Sequence, residues 1–355
     1  MAILQTKTDQ VCDVLREGMR AGRWRGYLPG RARLASELGC SHWIVEEAMQ
    51  RLSRENLLVS EGAGRRRRIE LPKDPPPLRP LRVRVLLYER EDRSNGKISL
   101  LLDGLHRAGF AANCALKSLQ DLGMNVGRVA RFVEKTEADA WIVCAGSRDV
   151  LEWFAQQDVP AIARLGRFTG LPIACAGVRA VPAMLASVRR LAELGHQRIV
   201  LLAAEERRKP YPGFFESEFL KELDALGMST GPYNLPDWDD HGDGLRSCLN
   251  GLFRHSPPSA LICEETRIFV AAQQYLARRG IHAPEDVSLI SADWDASFSW
   301  CKPTVAHYRW DHEAIVRRVV RWVENVARGK ADKRQVLQQA AFVEGGTIGP
   351  AREKR

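Results

Sequence analysis

Beyond residue 80 this 355-residue chain repeats one pattern: a short, almost wholly apolar run, then a longer stretch with apolar residues on one helical face. The runs are 83–88, 140–144, 198–203, 260–263 and 287–291, and the amphipathic stretches are 99–108, 126–136, 181–194, 216–226 and 268–279. An apolar run without alternation suits a strand buried on both faces. Such strands alternating with helices predict an α/β fold of parallel sheets covered by helices on both sides. In folds of this class small molecules bind beyond the carboxyl ends of the strands.

A different kind of segment precedes this pattern. It is set apart by Pro72-Lys73-Asp74-Pro75-Pro76-Pro77, running to Pro80, which reads as a stiff, extended linker over 72–80. Residues 7–21 place Val11, Val14, Leu15 and Met19 on one helical face, and Gly22 and the Gly26-x-x-Pro29-Gly30 run end that helix. A short helix over 33–38 turns Leu34, Ala35 and Leu38 inward and stops at Gly39. Ser41 is a good N-cap for a third helix over 41–54, with the stripe Ile44, Val45, Ala48, Met49 and Leu52. Two strands, 57–60 and 67–71, flank the hairpin tip Glu61-Gly62-Ala63-Gly64. Two short helices meeting at a glycine turn have helix-turn-helix geometry, and the hairpin adds a wing. The charge agrees: of a net +9, residues 1–82 carry sixteen basic against ten acidic side chains. A basic surplus gathered in one module is the electrostatic footprint of DNA binding.

These residues resemble the GntR family of winged-helix regulators. The matching elements are Leu28-Pro29-Gly30, Leu34-Ala35, Leu38-Gly39-Cys40-Ser41, Val45, Glu47-Ala48, Leu52, Leu57-Leu58 and Gly62-x-Gly64, covering about 7–71. The resemblance implies a DNA-binding domain over 1–71 whose helix from Ser41 enters the major groove, with His42 and Trp43 in its first turn. Arg31 and Arg33 flank Ala32, the position at which the preceding helix of the family carries its arginine. Gly62 and Gly64 let the wing tip approach the minor groove, and Arg65, Arg66, Arg67 and Arg68 pair phosphates there. The chain departs from the family at Ser41-His42, where Ser-Arg is usual, at Ala32 and at Glu46, where the family has arginine. Glu46 repels phosphate but can accept from cytosine N4. Trp43 either meets thymine methyls or packs.

The remainder resembles the sensor domain of the LacI/GalR family over about 81–350. The resemblance rests on Leu191-Ala192-Glu193-Leu194-Gly195-His196-Gln197-Arg198-Ile199, on Pro258-Ser259-Ala260-Leu261-Ile262-Cys263 and on Pro284-Glu285-Asp286-Val287-Ser288-Leu289-Ile290. Lys302-Pro303-Thr304-Val305 and Phe342-Val343-Glu344-Gly345-Gly346-Thr347 extend it. It implies a two-lobed, periplasmic-binding-protein-like effector domain, with lobe 1 at 81–178 and 293–322 and lobe 2 at 179–292 and 323–350. In the implied pocket Asp293 is retained, while Phe215 stands where a ligand-binding arginine is usual. Glu265-Thr266 replaces an Asn-Asp pair, and Arg179 falls near a family aspartate. Asp293 and Glu265 would accept from hydroxyls, Trp294, Phe215 or Tyr88 would stack, and Arg179 would receive an anion. A sugar-like polyol is the effector expected. His196 is expected to be structural.

Other classes find no support in the residues. The cysteines Cys12, Cys40, Cys114, Cys144, Cys175, Cys248, Cys263 and Cys301 show no zinc or disulfide spacing. There is no Gly-rich phosphate loop, Gly-x-Ser-x-Gly or His-Glu-x-x-His, so no catalytic residue, metal or cofactor is assigned. Asp237-Trp238-Asp239-Asp240-His241 reads as an exposed polar loop. With neither a signal-peptide pattern nor a run of 18 apolar residues, a cytoplasmic location is expected. The sequence thus predicts a homodimeric repressor, bound to palindromic double-stranded DNA and released by a small effector. The alternative is a solute-binding protein of the same fold without regulatory DNA binding.

Overall fold

The computed structural model describes residues 3–4, 6–55, 57–60, 66–70, 80–204, 208 and 213–352. Gly62, Gly64, Arg65 and the prolines of the linker at 72, 75, 76 and 77 lie outside the described residues.

The chain opens with a two-residue strand, β1 (Ile3–Leu4), then α1 (Lys7–Arg20), α2 (Arg31–Leu38) and α3 (His42–Arg54). A capping box starts α1: the Thr6 hydroxyl accepts from the Asp9 N–H at 3.2 Å, and the Asp9 carboxylate accepts from the Thr6 N–H at 2.8 Å. Gly39 ends α2 at φ 62°, a conformation that favours glycine. The Ser41 hydroxyl accepts from the Ile44 N–H at 3.4 Å and starts α3. Leu15, Met19, Leu28, Leu34, Val45, Ala48 and Leu52 fuse the three helices into one core. Each large apolar side chain buried there contributes about 1.5–3 kcal/mol. The strands β2 (Leu58–Ser60) and β3 (Arg67–Ile69) pair antiparallel. Strand β3 is tied back to the segment between α1 and α2 by Leu28 N–H to Arg67 O at 3.0 Å and Ile69 N–H to Gly26 O at 2.8 Å.

The chain divides into two compact units, Met1–Gly177 with Asp311–Gln338, and Val178–Trp310 with Gln339–Arg355. In unit one the strands β4 (Arg82–Leu86), β5 (Ala111–Cys114), β6 (Ala140–Cys144), β7 (Ala161–Arg164) and β8 (Ala174–Arg179) form parallel pairs. With β1 and β13 (Gln335–Gln339) they make a seven-stranded sheet, ordered β1-β13-β8-β7-β6-β4-β5. Its helices are α4 (Gly96–Arg107), α5 (Val126–Glu134), α6 (Arg148–Ala155) and α11 (His312–Ala327). Helices α4 and α11 lie so close that a Cβ on Gly104 would fall 2.5 Å from Val316 Cγ1.

Unit two is a five-stranded sheet ordered β14-β12-β11-β10-β9. It is built from β9 (Ile199–Leu202), β10 (Ala260–Cys263), β11 (Ser288–Ser291), β12 (Ala306–Arg309) and β14 (Ala341–Val343). The first four run parallel and β14 antiparallel to β12. The helices α7 (Val181–Glu193), α8 (Phe214–Ala225), α9 (Gly242–His255) and α10 (Thr266–Ala277) complete it. His196 is buried and structural: its Nε2 lies 2.9 Å from Gly349 O and 3.0 Å from Ser288 Oγ, fixing the C-terminal segment. Burial, opposed by the Gly349 contact, lowers its pKa and favours the neutral ring.

The lobe boundaries differ from the sequence reading at two of three points. The first crossing falls at 177/178, but the others fall at 310/311 and 338/339 rather than near 293 and 322. The reason is pairing: β12 continues the unit-two sheet beside β11, so the chain stays in that unit past Asp293. The whole of α11 and nearly all of β13 then belong to unit one.

Candidate nucleic-acid interface and effector site

The first turn of α3 is exposed at Ser41, His42 and Trp43, whereas Val45, Ala48, Met49 and Leu52 are buried one turn on. Trp43 is 72% exposed, so most of its ring is left uncovered. Arg31 and Arg33 are likewise exposed at the start of α2. Both helices therefore present unpaired N-terminal N–H groups next to polar or cationic side chains, the arrangement that takes phosphate.

The wing arginines divide into two kinds. Arg66 and Arg68 are exposed, and Arg68 pairs with Glu70 at 2.8 Å. Arg67 instead turns back onto α3, where its Nη2 meets Glu46 Oε1 at 2.5 Å. Glu46 also accepts from Gln50 at 3.3 Å. From the sequence Arg67 is expected on phosphate, while Glu46 repels phosphate or accepts from a cytosine. The structure joins the two to each other: the Arg67 side chain reaches from β3 to Glu46 in the second turn of α3. The Glu46 carboxylate thus has a partner inside the module. The prediction is that Glu46→Ala costs about 1–3 kcal/mol in thermal or urea unfolding, because it leaves a largely buried guanidinium short of an acceptor. A mutant as stable as wild type would show that the pair does not fix the wing.

Four of the effector candidates in unit two, Glu265, Thr266, Asp293 and Trp294, follow the carboxyl ends of neighbouring strands of its sheet. Register aligns Leu202, Cys263 and Ser291, and beyond the last two lie Glu265, Thr266, Asp293 and Trp294. Asp293 is half-buried, and one carboxylate oxygen accepts from the Trp294 N–H at 2.8 Å. It does not cap the following 3-10 turn, Ala296–Trp300; Asp295 does, accepting from the Ser297 N–H at 2.9 Å. Glu265 is paired with Arg267 at 2.8 Å. Thr266 starts α10 with its hydroxyl buried and without a hydrogen-bond partner among the described residues. Trp294 packs partly on the core and carries the Arg309 guanidinium 5.7 Å over its ring.

Other candidates sit differently. Phe215 is half-buried against the unit-two core. Arg179 is exposed at the end of β8, and its carbonyl accepts from the Ala340 N–H. Tyr88 belongs to unit one, just past β4, and is 9% exposed, which leaves little ring face for stacking. The 237–241 segment is exposed at Asp237, Asp239 and His241, as expected of a polar loop, but it is also tied to the rest of the unit. Trp238 is buried, His241 Nδ1 caps α9, and Asp240 accepts from Arg267 at 3.2 Å. Through Arg267, Asp240 joins Glu265 at the carboxyl end of the sheet, a link between residues 25 or more positions apart that no local pattern marks. A groove of about 510 Å³ runs from Pro236 and Trp238 along Gly244, Ser247 and Cys248 of α9, outside that set of residues.

All eight cysteines are free. Burial pushes the thiols of Cys12, Cys144 and Cys248 up to about 11, so they stay protonated. Among the described residues no cluster of three or more His, Cys, Asp or Glu is placed to hold a metal. No helix among them is long and apolar enough to cross a membrane.

Comparison with known proteins agrees with this architecture. Residues 188–348 match the family model of the periplasmic binding protein-like domain. No curated protein matches the chain. Among solved structures, a LacI-family transcriptional regulator from Enterococcus faecium with bound ribose is similar, at TM-score 0.61 and 16% identity, covering 76% of this chain and 100% of that one. The lac repressor dimer bound to operator and the anti-inducer ONPF aligns at TM-score 0.62 and 16% identity, over 76% of this chain and 95% of that one. The cellobiose complex of the regulator CelR aligns at TM-score 0.62 and 16% identity, over 90% and 100%. At such identity the likeness establishes the fold: an α/β, periplasmic-binding-protein-like domain of parallel sheets preceded by a helical module.

Proposed function

We propose that this chain is a ligand-responsive transcription regulator of the cytoplasm. A GntR-like winged helix binds double-stranded DNA, and a LacI/GalR-type sensor domain binds a small effector. The observation that carries this reading is Trp43. A tryptophan 72% exposed in the first turn of a helix, flanked by exposed Ser41 and His42 on a module with a basic surplus, has its apolar surface in water until a partner covers it. A base edge in the major groove is such a partner. Arg31, Arg33, Arg66 and Arg68 supply the charge that holds the module to the duplex. Two copies, related by a two-fold axis, present two such helices to a palindromic site. Repression relieved by effector is the sense of regulation we assign. Selection from a random duplex pool tests the reading: a palindromic motif supports it, and no enrichment at about 100 mM salt refutes it.

For the effector we assign Asp293, Glu265 and Thr266 of unit two as polar contacts and Trp294 as the stacking ring, with a sugar or similar polyol as ligand. A half-buried carboxylate just past the carboxyl end of a buried strand is a strong acceptor, and a hydroxyl donor to such a charged group is worth about 1.5–3 kcal/mol. A thermal-shift screen of monosaccharides, polyols and sugar acids identifies the ligand. Asp293→Asn is then expected to weaken that ligand at least about tenfold, or about 1.4 kcal/mol, with ligand-free DNA binding intact. Lost thermal stability with unchanged calorimetric affinity would instead make Asp293 a loop-fixing residue.

A further inference from the structure

One surface of the sensor domain is occupied by the chain's own DNA-binding module. Asp13 on the outer face of α1 is buried, and its carboxylate meets Arg321 of α11 at 2.8 Å while also holding Arg16 at 2.7 Å. One turn earlier, the Gln10 side-chain amide donates to Gln338 Oε1 at 3.1 Å, and Gln338 is only 3% exposed. Just before α1, strand β1 lies parallel to β13, with Ile3 opposite Val336 and Leu4 opposite Leu337, and so extends the edge of the seven-stranded sheet. Three contacts of different kinds, an ion pair, an amide pair and a backbone ladder, thus fall on the single stretch 311–338.

That stretch has a special place in the chain. It is the excursion by which the polypeptide leaves unit two after Trp310 and returns to it at Gln339. Gln338, which Gln10 grips, is the last residue before the return. The excursion is also stiff. Asp332 accepts from both Arg318 Nη atoms at 2.9 and 3.1 Å, from Arg334, and from Asn325, and its carbonyl accepts from the Trp322 indole. Helix α11 and strand β13 are therefore held as one piece, with α1 resting on it.

We infer that the face made by α11 and β13 is a docking site for α1 of the same chain, and that this contact couples the sensor domain to the DNA-binding helices. A shift in the excursion moves its two ends, which are chain-continuous with unit two, and it moves α1, which shares a core with α3 through Leu15 and Val45. Coupling of this form needs no change in the linker. The regulatory part of the inference rests on the DNA-binding function proposed above; the docking does not.

Two measurements on the full-length protein test it. Gln10→Cys with Gln338→Cys is oxidised mildly and mapped by peptide mass spectrometry, with Glu17→Cys and Gln338→Cys as the control pair, since Glu17 is exposed on α1. Docking predicts that the first pair closes within one chain in most molecules and the control at least tenfold less. Equal yields, no bond, or a bond between chains overturns it. Next, duplex selected from a random pool is added and amide exchange is followed at 335–339. Because coupling is reciprocal, DNA should change exchange there at least threefold in wild type and leave it unchanged in Arg321→Glu, which sets like charges against each other at Asp13. Bound DNA with wild-type exchange unaltered overturns the coupling. If no duplex is bound at all, the proposed function fails, and the disulfide yields still decide the docking.

Discussion

Asp332→Ala is expected to cost about 3–5 kcal/mol of stability, the range found when one partner of a buried pair is removed and the other charge is stranded. Asp332 and Arg318 are both buried, and Arg318 spends both Nη groups on that carboxylate. Arg318→Met combined with Asp332→Leu should recover most of the loss, since a well-packed apolar pair avoids the desolvation penalty. Burial alone would raise the Asp332 carboxyl, but hydrogen bonds from Arg334 and the Arg318 charge outweigh it and hold the group well below the usual carboxylate range. A carboxyl lowered on folding contributes its full stability above its unfolded pKa of about 4 and loses it as pH falls towards the folded value. The gap between wild type and Asp332→Asn should accordingly narrow below about pH 4. Urea midpoints for the Ala variant within about 1 kcal/mol of wild type would show that the network does not bear on stability.

The second large effect concerns DNA. Trp43→Ala should weaken binding to the selected duplex by about 1–3 kcal/mol, the usual worth of a base contact, and relax preference at one or two positions. Thermal stability should be unchanged, because the side chain is exposed. Arg66→Ala should act differently, weakening all sequences alike and flattening the dependence of log K on log salt by up to about 0.9. A Trp43→Ala protein that selects the wild-type motif with wild-type affinity would leave the exposed ring without a role in recognition.

How far these residues were legible in the sequence follows from the range of the interactions that place them. The helices α1, α2 and α3 were read with ends within two residues because caps and apolar stripes are local: Ser41, Gly39 and the 3.6-residue spacing of Val45, Ala48 and Leu52. The buried strands β6, β9, β10 and β11 were equally plain as apolar runs. Strands β5, β7 and β8 were not: Ala111–Cys114, Ala161–Arg164 and Ala174–Arg179 are short and rich in alanine, β5 lies at the sheet's edge with Ala111 and Asn113 exposed, and β7 and β8 are largely buried without alternation.

The candidate sites show the same divide. The exposed first turn of α3 was readable because it follows from the helix's own phase. The Glu46–Arg67 pair spans 21 positions and depends on where the wing folds back, so nothing local announced it and Arg67 alone read as a phosphate contact. Asp240 looked like one of several loop acids until the fold brought Arg267 to it across 27 positions. The unit crossings at 310/311 and 338/339 are topological events; no residue type announces them, and only the pairing of β12 with β11 reveals that the first comes late.

The central claim, that the N-terminal module binds duplex DNA through α3 and the wing, is tested most directly by fluorescence anisotropy. The full-length protein is titrated with a labelled duplex selected from a random pool, at salt concentrations from about 50 to 200 mM. The account predicts saturable binding whose log K falls linearly with log salt, with a slope of about −0.9 for each phosphate engaged. It also predicts a selected duplex bound at least about a thousandfold more tightly than a scrambled one. Equal affinity for both duplexes, or no binding at the lowest salt, would contradict it.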